Sequence, residues 1–140
     1  MNLTALLSRA DGWKTLSQAE DALRQGFSAV QLEGMPVAAR GWLLARLHSD
    51  LKKPLVLVTH TEEAATRLAD DLKIFLPPTA TLEHLPSSLN LLLDDADSER
   101  DVRGSGKRVR LLGNLAQGSC PDVLVTTTVA LLQLAPPPVS

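Results

Sequence analysis

Residues 54–76, Pro54-Leu-Val-Leu-Val-Thr-His-Thr-Glu-Glu-Ala-Ala-Thr-Arg-Leu-Ala-Asp-Asp-Leu-Lys-Ile-Phe-Leu76, decide how the chain is read. Pro54 opens Leu55–Thr59, a short apolar run rich in β-branched residues. That composition suits a strand covered on both faces, as in a parallel sheet. Thr61 then stands where its hydroxyl can cap a helix, and Glu62 and Glu63 occupy the first turn, where the helix dipole favours negative charge. Ala65, Leu68, Ala69, Leu72, Phe75 and Leu76 make an amphipathic stripe, which Pro77-Pro78 stops. One strand feeding one helix is half of a βαβ unit.

The pattern repeats on both sides. Downstream, Ala80–Leu85 is a weaker strand candidate. The acidic stretch Asp94–Asp101 reads as a loop entering a helix that carries Val109, Leu112, Leu115 and Ala116 and runs to Gly118. Asp122–Thr127 is a further strand, followed by a short helix over Val129–Leu134 that ends at Pro136–Pro138. Upstream, Ala38–Leu51 has helical spacing, and Phe27–Glu33 reads as a strand closed by Gly34. Residues 1–27 form a helical preface, with Leu3, Leu6 and Leu7 on one face and Ala19, Ala22 and Leu23 on the next. Strands alternating with helices predict an α/β domain over residues 28–140, built on a mainly parallel sheet with flanking helices.

Composition narrows the function. A net charge of −2 gives no general nucleic-acid or membrane footprint, and 3% aromatic residues offer no platform for base stacking. Cys120 is the single cysteine, so no intrachain disulfide forms and a reducing, cytoplasmic setting is expected. The N-terminus lacks the apolar core of a signal peptide, and no apolar run approaches the ~20 residues that span a bilayer.

The stretch Gly34-Met-Pro-Val-Ala-Ala-Arg-Gly41 stands between the first strand candidate and a helix, the place of a phosphate loop. A working loop reads G-x-x-x-x-G-K-[ST]. Aligned on Gly34, this chain has Ala39 for the second glycine, Arg40 for the lysine and Gly41 for the hydroxyl residue. A Cβ at residue 39 disfavours positive φ, the Arg40 fork is no compact ammonium, and Gly41 offers no oxygen to Mg²⁺. Pro36 removes a backbone donor as well. These positions read as vestigial, and no cofactor or metal is expected here. Gly104-Ser-Gly-Lys107 fails the same motif at Asp101 and Arg108 and reads as a frayed helix start.

His48, His60 and His84 show no metal-ligand spacing. His60 follows a strand at the sheet edge where ligands often bind, but has no partner in the sequence. Cys120 precedes a proline and lacks a matched histidine. Arg100, Arg103, Lys107, Arg108 and Arg110 are offset by Asp94, Asp95, Asp97, Glu99 and Asp101, which predicts a solvated, self-paired face. Thr128 is expected to cap the last helix.

Three blocks, LEGMPVAARGWLLARL, PLVLVTHTEEAATRLADDLKIFL and DVLVTTTVALLQLAPPP, spread over residues from about 30 to 138, together resemble the N-terminal module of bacterial transcription-repair coupling factors (Mfd). That module is in turn similar to the start of the excision-repair protein UvrB, which keeps an intact phosphate loop. Between the second and third blocks the family carries an aromatic-rich stretch around Leu-Pro-Tyr. Here HLPSSLNLLLDDADSE keeps Leu85-Pro86 without the rings, which puts any contact made by those rings in doubt. The resemblance implies a degenerate RecA/helicase-like fold (like domain 1a of UvrB) whose chain continues into an inserted domain. The proline exit ending at Ser140 fits such a junction. It implies a non-catalytic scaffold in a protein that clears stalled RNA polymerase and recruits UvrA. The UvrA contact would lie mainly beyond Ser140. Contacts to polymerase and double-stranded DNA, and the ATP and Mg²⁺ of the motor, would belong to other domains. The alternatives are an ATP-binding half-site of a UvrB-type enzyme and a free-standing α/β regulatory domain.

Overall fold

The computed structural model describes residues 3–10, 12–87 and 98–133. By its contacts the chain divides into two units, Met1–Lys53 with Leu68–Ala80, and Pro54–Arg67 with Thr81–Ser140.

The second unit holds a sheet of three parallel strands, β1 (Leu55–Thr59), β2 (Leu82–Leu85) and β3 (Val123–Thr127), in the order β1-β3-β2. Leu55 lies opposite Val123 on one side, and Leu82 lies opposite Val123 on the other. The start of the ladder is fixed by side chains. Thr81 donates its backbone N–H and its hydroxyl to Asp122 Oδ2 at 2.8 and 2.9 Å, and the Asp122 N–H donates to Thr81 Oγ1 at 2.9 Å. A one-residue slip would break all three bonds and turn each strand's side chains to the other face.

All five residues of β3 are buried. The expectation that β1 is covered on both faces fails: Val56 and Val58 are 57% and 51% exposed. Burial on both faces follows from a central place in the sheet, and β3 holds that place while β1 is an edge. Helix α4 (Ser98–Ala116) packs Leu111 against Leu85 and Leu124, with Leu112 and Leu115 beside them. Its phase differs from the sequence reading, because Val109 is 60% exposed and Arg108 takes the buried position one turn before Leu111 and Leu112. Helix α5 (Thr128–Leu132) is capped by Thr127, whose Oγ1 accepts from Ala130 N at 3.1 Å, and not by Thr128. Thr127 still has extended backbone, as a cap requires, whereas Thr128 is already helical.

The first unit is helical. A 3₁₀ helix (Thr4–Ala10) precedes α1 (Lys14–Arg24) and α2 (Arg40–Leu51), and α3 (Glu62–Phe75) adds its later turns. Leu16 and Leu43 form the buried centre, with Met35, Trp42 and Leu47 packed on it. Trp42 Nε1 and Arg46 Nη1 donate to the carbonyls of Leu6 and Leu7 at 3.1 and 2.8 Å, which ties the N-terminal segment to α2. Phe27–Glu33 forms no strand. It is irregular and exposed, with Phe27 at 62%, because a strand needs a ladder partner and none of the three described strands pairs with it. The architecture is α/β, a three-stranded parallel sheet with flanking helices.

Candidate functional site

The loop Gly34–Gly41 lies wholly in the first unit. Gly34 bends the chain at φ +74°, in the left-handed region that glycine tolerates. Pro36 then precedes a single 3₁₀ turn, Val37–Ala39, which runs directly into α2 at Arg40. This turn differs from a phosphate cradle in where its amides point. The Ala39 N–H donates to Pro36 O at 3.0 Å, and the Arg40 N–H donates to Val37 O. Both donors are spent within the turn, whereas a cradle needs them converging on an anion. Ala39 itself sits at φ −90°, ψ −10°, an ordinary right-handed conformation.

Gly41 has a second reason to be glycine. A Cβ built there would stand 2.9 Å from Asp71 Cβ and 3.3 Å from the Asp71 carbonyl carbon, because α3 passes close against the start of α2. The place of a metal-holding hydroxyl is therefore filled by the neighbouring helix. The Arg40 side chain is exposed and has no hydrogen-bond or ion-pair partner among the described residues. The four loop positions thus adjoin in space as they do in sequence, without the geometry of a cradle.

Gly104–Lys107 lies inside α4, whose amides serve the helix. His48 Nδ1 lies 3.2 Å from Lys53 O, and His60 is exposed and without a described partner. Cys120 is an exposed free thiol. Among the described residues, no group of three His, Cys, Asp or Glu could hold a metal ion, and no helix is long and apolar enough to cross a membrane.

Of the basic cluster, Lys107 is exposed and Arg110 lies 3.8 Å from Glu83. Arg108 overturns the expectation of a solvated face. It is 7% exposed, and its guanidinium donates to Pro86 O at 3.0 Å, Ala130 O at 2.9 Å and Gln133 O at 3.4 Å. A planar fork can bond carbonyls on two segments at once, which explains an arginine in an otherwise apolar row. The side chains of Arg100, Arg103, Glu99 and Asp101, and all of Asp94, Asp95 and Asp97, lie outside the described residues, as do Pro136–Pro138.

The roles of two carboxylates, half-buried Glu62 and buried Glu20, escaped the sequence reading. Glu62 does more than favour the helix dipole. Its Oε1 accepts from Ser87 N at 2.8 Å and from Thr127 Oγ1 at 3.2 Å, while His84 Nε2 lies 3.0 Å from Oε2 without hydrogen-bond alignment. Arg108 and Glu62 thereby hold the segments that leave β2 and β3, at the sheet edge where α/β proteins usually bind ligands. In the first unit, Glu20 is buried beside Asp50, and Arg46 pairs with Asp50. Burial raises the pKa of Glu20, and the hydrogen bond and charge of Asp50 add to the rise. Arg46 and Arg24 oppose it. Glu20 carried no sequence signal, since it reads as an ordinary helix-surface acid.

Across 88% of its length, over 127 residues, the chain is 38% identical to the transcription-repair-coupling factor of Myxococcus xanthus. It resembles a segment of transcription-repair-coupling factor. Over 136 residues it is 23% identical to the factor of the same name from Bacillus subtilis, covering 97% of the chain. The match covers 10% of the first relative and 11% of the second, so the chain spans about a tenth of their length. No protein-family model and no solved structure matches it.

Proposed function

We propose that this chain is a non-catalytic scaffold of a transcription-repair coupling factor, its N-terminal UvrB-like module, and that it supports recruitment of UvrA to stalled RNA polymerase. The observation that carries the non-catalytic part is the closed loop at residues 34–41. Its Ala39 and Arg40 amides are bonded internally, and the Gly41 position has no room for a side chain that could hold Mg²⁺. The relatives' name supports the repair context. Their length, about ten times that of the match, leaves ample chain for motor, polymerase-binding and DNA-binding domains.

In this reading the helicase-like fold persists as a frame. ATP and Mg²⁺ serve other domains of the full-length protein, and UvrA contacts mainly the domain that would follow Ser140. Arg40, whose side chain has no partner among the described residues, favours an ATP-binding half-site, since a cation beside a loop can reach a phosphate supplied by another domain. Turnover separates the two readings. In the full-length protein, Arg40→Ala should leave DNA-stimulated ATP hydrolysis at its wild-type rate. Abolished hydrolysis, with folding intact, would establish the half-site instead.

A further inference from the structure

Within the first unit, α1, α2 and the N-terminal 3₁₀ helix meet at Arg46. This arginine of α2 pairs with Asp50 one turn on, and its Nη1 donates to Leu7 O of the 3₁₀ helix at 2.8 Å. Its Nε also lies 4.0 Å from Glu20 Oε1 of α1, beyond hydrogen-bond reach. Glu20 is buried, and that oxygen has no hydrogen-bond partner among the described residues. Ionised carboxylates only accept, so the hydrogen bond between Glu20 and Asp50 needs a proton on one of them. Among the described residues, the charges that act on Glu20 are Asp50 and Arg46 of α2 and Arg24 of its own helix. Arg24 is half-exposed and shared between Asp21 and the Asp50 carbonyl. Arg9 of the 3₁₀ helix is exposed and not among them. Burial, and then Asp50, hold the pKa of Glu20 above its ordinary value against the pull of both arginines.

We propose that Glu20 is a proton-operated clasp on the N-terminal 3₁₀ helix. While Glu20 keeps its proton, Arg46 serves Asp50 and the Leu7 carbonyl, and the segment is held. When the proton leaves, a buried negative charge faces Arg46 Nε and draws it over. The guanidinium is a rigid planar fork, so moving Nε carries Nη1 off Leu7 O. The segment is therefore held at acid pH and loosened as pH rises through the raised value. The bonds from Leu3 N to Ile74 O and from Trp42 Nε1 to Leu6 O remain, so it loosens without detaching. This inference does not depend on the repair function proposed above. It needs only contacts within the first unit.

Hydrogen exchange of this chain, read by mass spectrometry as protection factors from about pH 5 to about pH 8, tests it. Protection over residues 3–10 should fall about tenfold, as the loss of one charge-assisted hydrogen bond requires. The amides of β3 should keep theirs. Glu20→Gln should hold the acid level of protection throughout, because its amide cannot ionise. Asp50→Asn should move the fall to lower pH, because the charge that opposes ionisation of Glu20 is gone. The histidines are common to all three proteins, so the comparison isolates Glu20. Wild-type protection that does not change with pH would overturn the proposal, as would a fall that persists in Glu20→Gln or stays in place in Asp50→Asn. A fall shared equally by β3 would overturn it too, since the whole chain and not the clasp would then respond.

Discussion

Gly41→Ala adds one methyl group where α2 meets α3, and the structure sets its cost. The new Cβ would lie 2.9 Å from Asp71 Cβ, 3.3 Å from the Asp71 carbonyl carbon and 3.5 Å from Leu72 N. The first distance is shorter than real Cβ contacts, and the groups met are backbone or next to it, so the helices themselves must shift. Overpacking of this kind costs about 1–3 kcal/mol. Alanine also returns about 0.5–1 kcal/mol of helix propensity, which blurs the reading of one variant alone. Gly113→Ala removes the blur, because Gly113 also lies within a helix but has nothing within 4 Å of an added Cβ. It should stabilise by the propensity gain, so the difference between the variants isolates the contact cost. With a urea m-value of about 2 kcal/mol/M, midpoints about 0.5–1.5 M apart are expected, Gly41→Ala the lower. Equal midpoints at equal m would refute the close approach, and with it the argument that no metal-holding side chain fits at residue 41.

Two further predictions concern buried charges. Arg108→Met should destabilise by about 2–4 kcal/mol in urea unfolding, because three carbonyls lose a charged donor. Arg108→Lys should recover part of the loss; a loss under about 0.5 kcal/mol for Met would mean that water satisfies those carbonyls. For Glu20 the folded pKa is raised above the ordinary 4.5 by burial and by Asp50. Its stabilising contribution is therefore complete below that ordinary value and is lost as pH rises through the raised one. Glu20→Gln, which stays uncharged, should gain on the wild type between acid and neutral pH. A stability difference that does not change with pH would contradict the pairing.

What was legible in the sequence was local. The cap at Thr61, the stop at Pro77 and the alternation of apolar runs with helical stripes gave α3, the three strands and the parallel α/β class. Thr61 does cap its helix, its Oγ1 accepting from Ala64 N at 3.1 Å. What was not legible depended on distant chain. Ser-Ala-Val-Gln-Leu at 28–32 and Leu-Val-Leu-Val at 55–58 read alike, yet one pairs with β3 and the other with no described strand. The exposed face of β1 follows from strand order, which no local pattern encodes.

The site divides in the same way. That Ala39, Arg40 and Gly41 depart from the phosphate-loop pattern is legible by residue type. The crowding at Gly41, however, is set by Asp71, thirty positions on in the chain. Arg108 was hidden because a cation among charges reads as solvated. Its burial depends on the carbonyls of Pro86, Ala130 and Gln133, which the fold alone brings together.

The central claim is that this module holds no nucleotide, and Mg·ATP titrated into the chain by calorimetry tests it most directly, with the thermal midpoint read at saturating nucleotide. Absence of saturable heat and an unmoved midpoint are expected. Stoichiometric binding with a raised midpoint, as any ligand of the native state must produce, would contradict the claim and make the loop at Gly34–Gly41 a working site.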